Sequence, residues 1–104
     1  MASGKAQRRT GSFVGTGAAL TIASEKVGFT PKSVTLYNID RNITLKWFEL
    51  MDPDVGQKVV DSGTGATDVS LLTSNGITAT ATGFTVGTDS VNTAGDRVLY
   101  EVWG

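Results

Sequence analysis

The sequence contains neither cysteine nor histidine. The first absence excludes disulfides, thiolate metal sites and cysteine nucleophiles. The second removes the commonest metal ligand and the commonest general base. Proline occurs only at positions 31 and 53, and no apolar run approaches the roughly 18 residues of a membrane span. The opening stretch, residues 1–11, is basic but leads into no apolar segment, so it does not read as a secretory signal. A dominant charge is also missing. Nine Lys and Arg against ten Asp and Glu net −1, which draws neither nucleic acid nor a membrane surface. The balance is uneven along the chain, +3 over the first eleven residues and −4 over the rest. At 104 residues a single domain is expected, burying roughly two-thirds of its unfolded surface.

What the chain has is threonine (fifteen), glycine (thirteen) and valine (eleven). Thr and Val are stiff at χ1 and suit a pleated, half-buried surface, while Gly punctuates turns. Residues 1–11 hold no aromatic or branched aliphatic side chain and read as a flexible basic arm. Residues 12–104 read as the folded domain, because short apolar runs alternate with turn signals every 8–12 residues. The expected class is all-β, a single antiparallel β-sandwich or flattened barrel. Strands are predicted at 12–14, 19–23, 33–39, 43–50, 57–61, 68–73, 77–82, 84–86 and 97–103. Asn75-Gly76 is the strongest hairpin signal, since both residues tolerate positive φ. Ile77–Thr82, with its small apolar side chains, suits a tightly packed position or a subunit contact. Phe48 and Leu50 interrupt the polar face of their strand, so that end is expected to be covered on both sides. A weak helical pattern over Trp47–Asp54 allows one turn. The predicted core is Leu20, Ile22, Phe29, Val34, Leu36, Ile43, Leu45, Trp47, Val59, Leu71, Ile77, Phe84, Val86, Val98, Tyr100 and Val102.

The chemical inventory is sparse. No histidine can serve a nucleophilic triad, and no Gly-x-Ser-x-Gly or Ser-x-x-Lys spacing occurs. Asp52, Asp54, Asp61, Asp68, Asp89 and Asp96 lie in or beside Gly-rich turns, where Asp commonly caps its own backbone. Gly15-Thr16-Gly17 and Gly63-Thr64-Gly65 lack the third glycine and following helix of a dinucleotide loop, so both read as hairpin turns. Trp47 is in phase with Ile43 and Leu45, which places it in the core. Tyr100 and Trp103 fall on opposite faces of the last strand and form no sugar-stacking platform. No catalytic residue, cofactor or metal ligand is therefore assigned. Three charges in the arm, Lys5, Arg8 and Arg9, neutralise too few phosphates to hold nucleic acid at physiological salt. The arm is either an inert tail or a docking arm for an acidic surface, and docking is the expectation adopted.

Several stretches look familiar. They are Phe13-Val14-Gly15-Thr16-Gly17, Gly28-Phe29-Thr30-Pro31-Lys32-Ser33-Val34-Thr35-Leu36-Tyr37-Asn38, and the run from Gly76-Ile77-Thr78 through Gly83-Phe84-Thr85-Val86-Gly87-Thr88-Asp89 to Val98–Gly104. Together they resemble the small β-sandwich virion proteins of tailed bacteriophages, of the capsid decoration or head-stabilising type. The resemblance spans nearly everything after residue 11 and is carried by turn signatures rather than catalytic motifs. It implies a non-enzymatic structural protein, made in the host bacterial cytoplasm, that binds the outer surface of the capsid. The implied partners are the major capsid protein and further copies of itself, most simply as a trimer, with Lys5, Arg8 and Arg9 as a capsid-docking arm. The alternative is a phage tail, fibre or spike component contacting a host receptor or carbohydrate.

Overall fold

The computed structural model describes residues 7–23, 26–61 and 67–104. Its strands are β1 (Arg8–Val14), β2 (Leu20–Ile22), β3 (Ser33–Asn38), β4 (Ile43–Phe48), β5 (Val55–Asp61), β6 (Thr67–Ala79), β7 (Phe84–Val86) and β8 (Arg97–Trp103). One 3-10 turn, Ser90–Asn92, is the only helical element among the described residues. Trp47–Asp54 is not helical: the strand there gives way to a turn closed by the Met51 amide donating to the Phe48 carbonyl at 2.8 Å. The strands form one antiparallel sheet in the order β1-β8-β3-β4-β5-β6-β7-β2, curled into a half-barrel. The fold is all-β, as the turn spacing predicts.

Strict alternation builds the inner face. Val34 and Leu36 of β3, Ile43, Leu45 and Trp47 of β4, and Val98, Tyr100 and Val102 of β8 are all buried. The register sets Leu36 against both Leu45 and Tyr100. Each such side chain contributes about 1.5–3 kcal/mol by leaving water. The Tyr100 ring stacks on Phe13 and meets Phe84 edge-on, and its hydroxyl donates to the Lys26 carbonyl at 3.1 Å. Three core residues escape the periodicity argument: Phe13 on an edge strand, and Val27 and Val91 in connections. Leu20 and Phe29 pack against the core but stay half-buried.

Val59 and Leu71, predicted inside, face outward in one ladder with Thr44, Val69, Lys46 and Gln57. The inner position opposite Leu45 belongs instead to Lys58. Its stem lies along the core while the ammonium reaches Asp89 at 2.9 Å and Ser90 at 2.8 Å. A lysine read as solvent-facing thus shifts the whole strand by one face.

The Asn75-Gly76 hairpin does not form. β6 runs through it, and pairing jumps from Gly56↔Leu72 to Val55↔Ile77, so residues 73–76 bulge from the ladder. Asn75 takes the positive φ (60°) that a type I′ turn would need. Its amide donates to the Asp54 carboxylate, and the Gly76 amide to the Asp54 carbonyl, each at 3.0 Å. A side chain at Gly76 would strike the Val55 carbonyl, so glycine here serves close strand approach.

The arm boundary also moves. β1 begins at Arg8, so residues 8–11 belong to the sheet, paired in register with Glu101–Trp103 and Tyr100 of β8. Gly11 leaves the space that the Tyr100 ring occupies. Lys5 and the Ser62–Gly65 break lie outside the described residues.

Candidate functional site

Most polar side chains with several partners are engaged in holding connections. Asn38 is fully buried at the end of β3. Its Oδ1 accepts from the Asp40 and Arg41 amides at 2.9 and 3.0 Å, and its Nδ2 donates to the Val91 carbonyl and to Asp96. Asp96 also accepts from Arg41 Nε at 2.6 Å. Asp89 caps the 3-10 turn by accepting from the Val91 amide at 3.0 Å. Asn92, the other buried polar side chain among the described residues, donates to the carbonyls of Ala18 and Gly87 and accepts from the Thr16 amide. The Gly15-Thr16-Gly17 stretch is therefore a connection between β1 and β2 clamped to the β7–β8 connection, with no helix behind it. Among the described residues no three His, Cys, Asp or Glu side chains lie close enough to hold a metal ion.

Two carboxyls are held below their ordinary range. For Asp96 the largest cause is the Asn38 hydrogen bond, aided by Arg41 and opposed by desolvation. For Glu101 it is the Arg8 hydrogen bond, then Trp103, again opposed by desolvation. A depressed folded pKa stabilises the protein above the unfolded value, and that stabilisation is lost as pH falls through the folded one. The urea midpoint should accordingly hold from neutral pH down to about pH 5 and fall below it. Asp96→Asn and Glu101→Gln should each flatten that acid limb, and an unchanged limb in the double variant would contradict the assignment.

The structure separates the proposed docking residues. Arg8 lies on the outer face of β1 opposite Trp103, bonded through Nη2 to Glu101 Oε2 at 2.7 Å, with its guanidinium 5.4 Å from the Trp103 ring centroid. Arg9 lies on the inner side, opposite Val102. Nothing in the run Arg8-Arg9-Thr10-Gly11 signals a strand, because its partner β8 supplies the apolar packing.

The outer face carries the features that alternation alone did not single out, two exposed apolar patches. One gathers Phe48 (51 % exposed) at the end of β4, Val69 and Leu71 (62 %) on β6, and Leu50 (92 %) and Met51 in the turn between β4 and β5. It encloses a cleft of about 400 Å³ lined by Phe48, Met51, Gln57, Val69, Ser70 and Leu71. A neighbouring cleft shares Met51 and Leu71 and continues past Leu50 and Pro53. The end of β4 is thus open, not covered on both sides. The second patch lies across β1, β8 and β3. Val14 (61 % exposed) pairs with Arg97, and Leu99 with Tyr37, with Ile39 just beyond. A polar band separates the two, with Thr35, Lys46 and Gln57 side by side across β3, β4 and β5 and Thr44 in the next row. Exposed apolar clusters rimmed by polar residues mark contact surfaces more often than catalytic ones. No protein family, curated protein or solved structure matches this chain.

Proposed function

We propose that the protein is a non-enzymatic structural component of a tailed-phage virion that binds the outer surface of the capsid and stabilises it. The observation that supports this reading is the pair of exposed apolar patches on a sheet whose Asn38, Lys58 and Asn92 side chains are taken up in holding its connections. A decoration protein adds buried area across the seams between capsid subunits, and repetition over many sites multiplies a modest gain per copy. The partners in this reading are the major capsid protein and sister copies, with the protein acting as a homo-oligomer, most simply a trimer. The segment containing Lys5 docks on the shell. Arg8 and Arg9 belong to β1, so a truncation that tests docking removes residues 2–6 and leaves the strand intact.

Labelling on intact particles tests the proposal. Copies in the hundreds spread over the head support decoration. A few copies confined to the tail would establish the alternative, a tail, fibre or spike component that contacts a host receptor or carbohydrate.

A further inference from the structure

The chain has four asparagines, at 38, 42, 75 and 92. Three are followed by β-branched residues, Ile39, Ile43 and Thr93, and only Asn75 by glycine. That difference decides which carboxamide can react with its own backbone, because the attacking group is the amide nitrogen of the next residue. A branched side chain crowds that nitrogen, whereas glycine leaves it open. Burial sharpens the contrast. Asn38 and Asn92 are fully buried with both ends of the amide hydrogen-bonded, and Asn42 Oδ1 accepts from the Tyr37 hydroxyl at 3.0 Å. Asn75 is exposed. The nitrogen that would attack it is held back. Gly76 is buried and its N–H donates to the Asp54 carbonyl at 3.0 Å, while the Asn75 amide donates to the Asp54 carboxylate at the same distance. One residue, Asp54, thus pins both halves of a reactive pair.

We infer that Asn75 is a site of spontaneous covalent modification, cyclising with Gly76 and hydrolysing to aspartate and isoaspartate, and that Asp54 holds it shut in the folded chain. In the first step the Gly76 nitrogen bonds to Asn75 Cγ and the Cγ–Nδ2 bond breaks. The proton shed by Gly76 passes through solvent to the leaving nitrogen, which departs as ammonia. Water then opens the five-membered imide. Attack at Cγ gives aspartate at 75 in an ordinary main chain. Attack at the main-chain carbonyl carbon gives isoaspartate, with the chain now running through Cγ. Water is the only co-reactant. Neither product forms while the Gly76 nitrogen is turned to Asp54, so the folded rate is the free-chain rate scaled by the fraction of time the bulge is open. The product acts back on the fold. Isoaspartate lengthens the main chain beside Gly76, which stands against the Val55 carbonyl and accepts from the Gly87 amide at 2.9 Å. Both products also place a new negative charge near the Asp54 carboxylate. The bulge links the part of β6 paired with β5 to the part paired with β7, so modification loosens β7 and β2 from the rest of the sheet. The inference is independent of the capsid reading.

The test incubates the purified full chain at mildly alkaline pH, folded and in urea, and follows each asparagine by peptide mapping that separates aspartate from isoaspartate. In urea, Asn75 should convert well ahead of Asn38, Asn42 and Asn92. In the folded protein its conversion should be slower by about tenfold or more. Asp54→Gly removes the carboxylate while tolerating the positive φ (67°) of that position. It should raise the folded rate about tenfold and leave the rate in urea unchanged, with amide exchange at Gly76 accelerating in step. Asn75→Gly removes the reacting amide, so it should keep its melting temperature through an incubation that lowers that of the natural protein. Conversion of Asn75 as fast in the folded protein as in urea overturns the inference, and that comparison needs no variant. So does an Asp54→Gly protein whose folded rate is unchanged. Conversion of Asn42 in urea as fast as that of Asn75 would remove the role given to Gly76 and overturn it equally.

Discussion

Replacing Asn38 by leucine should lower the unfolding free energy by about 3–5 kcal/mol. The two side chains are similar in volume, so the loss is electrical rather than steric. Asn38 satisfies two turn amides, the Val91 carbonyl and the Asp96 carboxylate at once, with no exposed surface of its own. Leucine leaves those groups without partners in a site that water reaches poorly, and each such group costs about 1–3 kcal/mol. Some will find water, because Asp40 and Arg41 are exposed, which is why the total stays below the sum. Against the 5–15 kcal/mol usual for a domain, this is about a fifth of the stability or more. The melting temperature should fall by on the order of 15 °C or more.

Asn38→Asp separates the electrostatic part. It keeps the acceptor that holds the Asp40 and Arg41 amides but replaces the donor that faces Asp96 at 2.9 Å with a second carboxylate. Two carboxylates at that distance do not both ionise comfortably, so this variant should be weakest at neutral pH and recover as the pair takes up a proton. Thermal melts from pH 7 to pH 4 would show the recovery. A variant as stable as the natural protein at pH 7, or a leucine cost under about 1 kcal/mol, would mean that water replaces the Asn38 side chain without loss.

Gly83→Ala should cost about 2–4 kcal/mol, although alanine normally helps at such a site. Gly83 does not have a positive φ, and there a Gly→Ala change stabilises by about 0.4–1 kcal/mol through the unfolded chain. The opposing effect is a collision with backbone. A Cβ would meet the Ile22 carbonyl oxygen, with the Ile22 carbonyl carbon at 2.9 Å and Ala23 Cα at 3.0 Å. None of these is the tip of a flexible side chain. Relief requires β2 to move off β7, breaking the Ile22↔Phe84 pairing and drawing buried Ile22 out of the core. β2 is only three residues long and ends the sheet, so it is the element that yields. Amide exchange at residues 20–22 should accelerate well before global unfolding. Gly95→Ala is the contrast. It has φ +85° but nothing within 4 Å of a Cβ, so it should lose only the roughly 1–2 kcal/mol of left-handed strain. If Gly83→Ala is the milder of the two, close backbone approach is not what requires glycine at 83.

The all-β class, the turn spacing and the inner faces of β3, β4 and β8 were legible in residue order, because a period of two is a local property of the chain. The burial of Trp47 follows from its phase with Ile43 and Leu45 in the same way. Tertiary structure decided everything that depends on a partner distant in sequence. β1 exists from Arg8 because β8 lies beside it, not because Arg8-Arg9-Thr10-Gly11 favours a strand. Lys58 points inward because Asp89 and Ser90, some thirty residues away, meet its ammonium, and that single choice turned Val59 and Leu71 outward. Asn75-Gly76 has the φ freedom of a hairpin turn, but Asp54 and Val55 give its backbone better partners within a continuous strand. The candidate site shares this origin. Phe48, Leu50, Val69 and Leu71 look like ordinary strand and turn residues one at a time. They become a patch only when the pairing of β4, β5 and β6 gathers them on the face that curls away from the core.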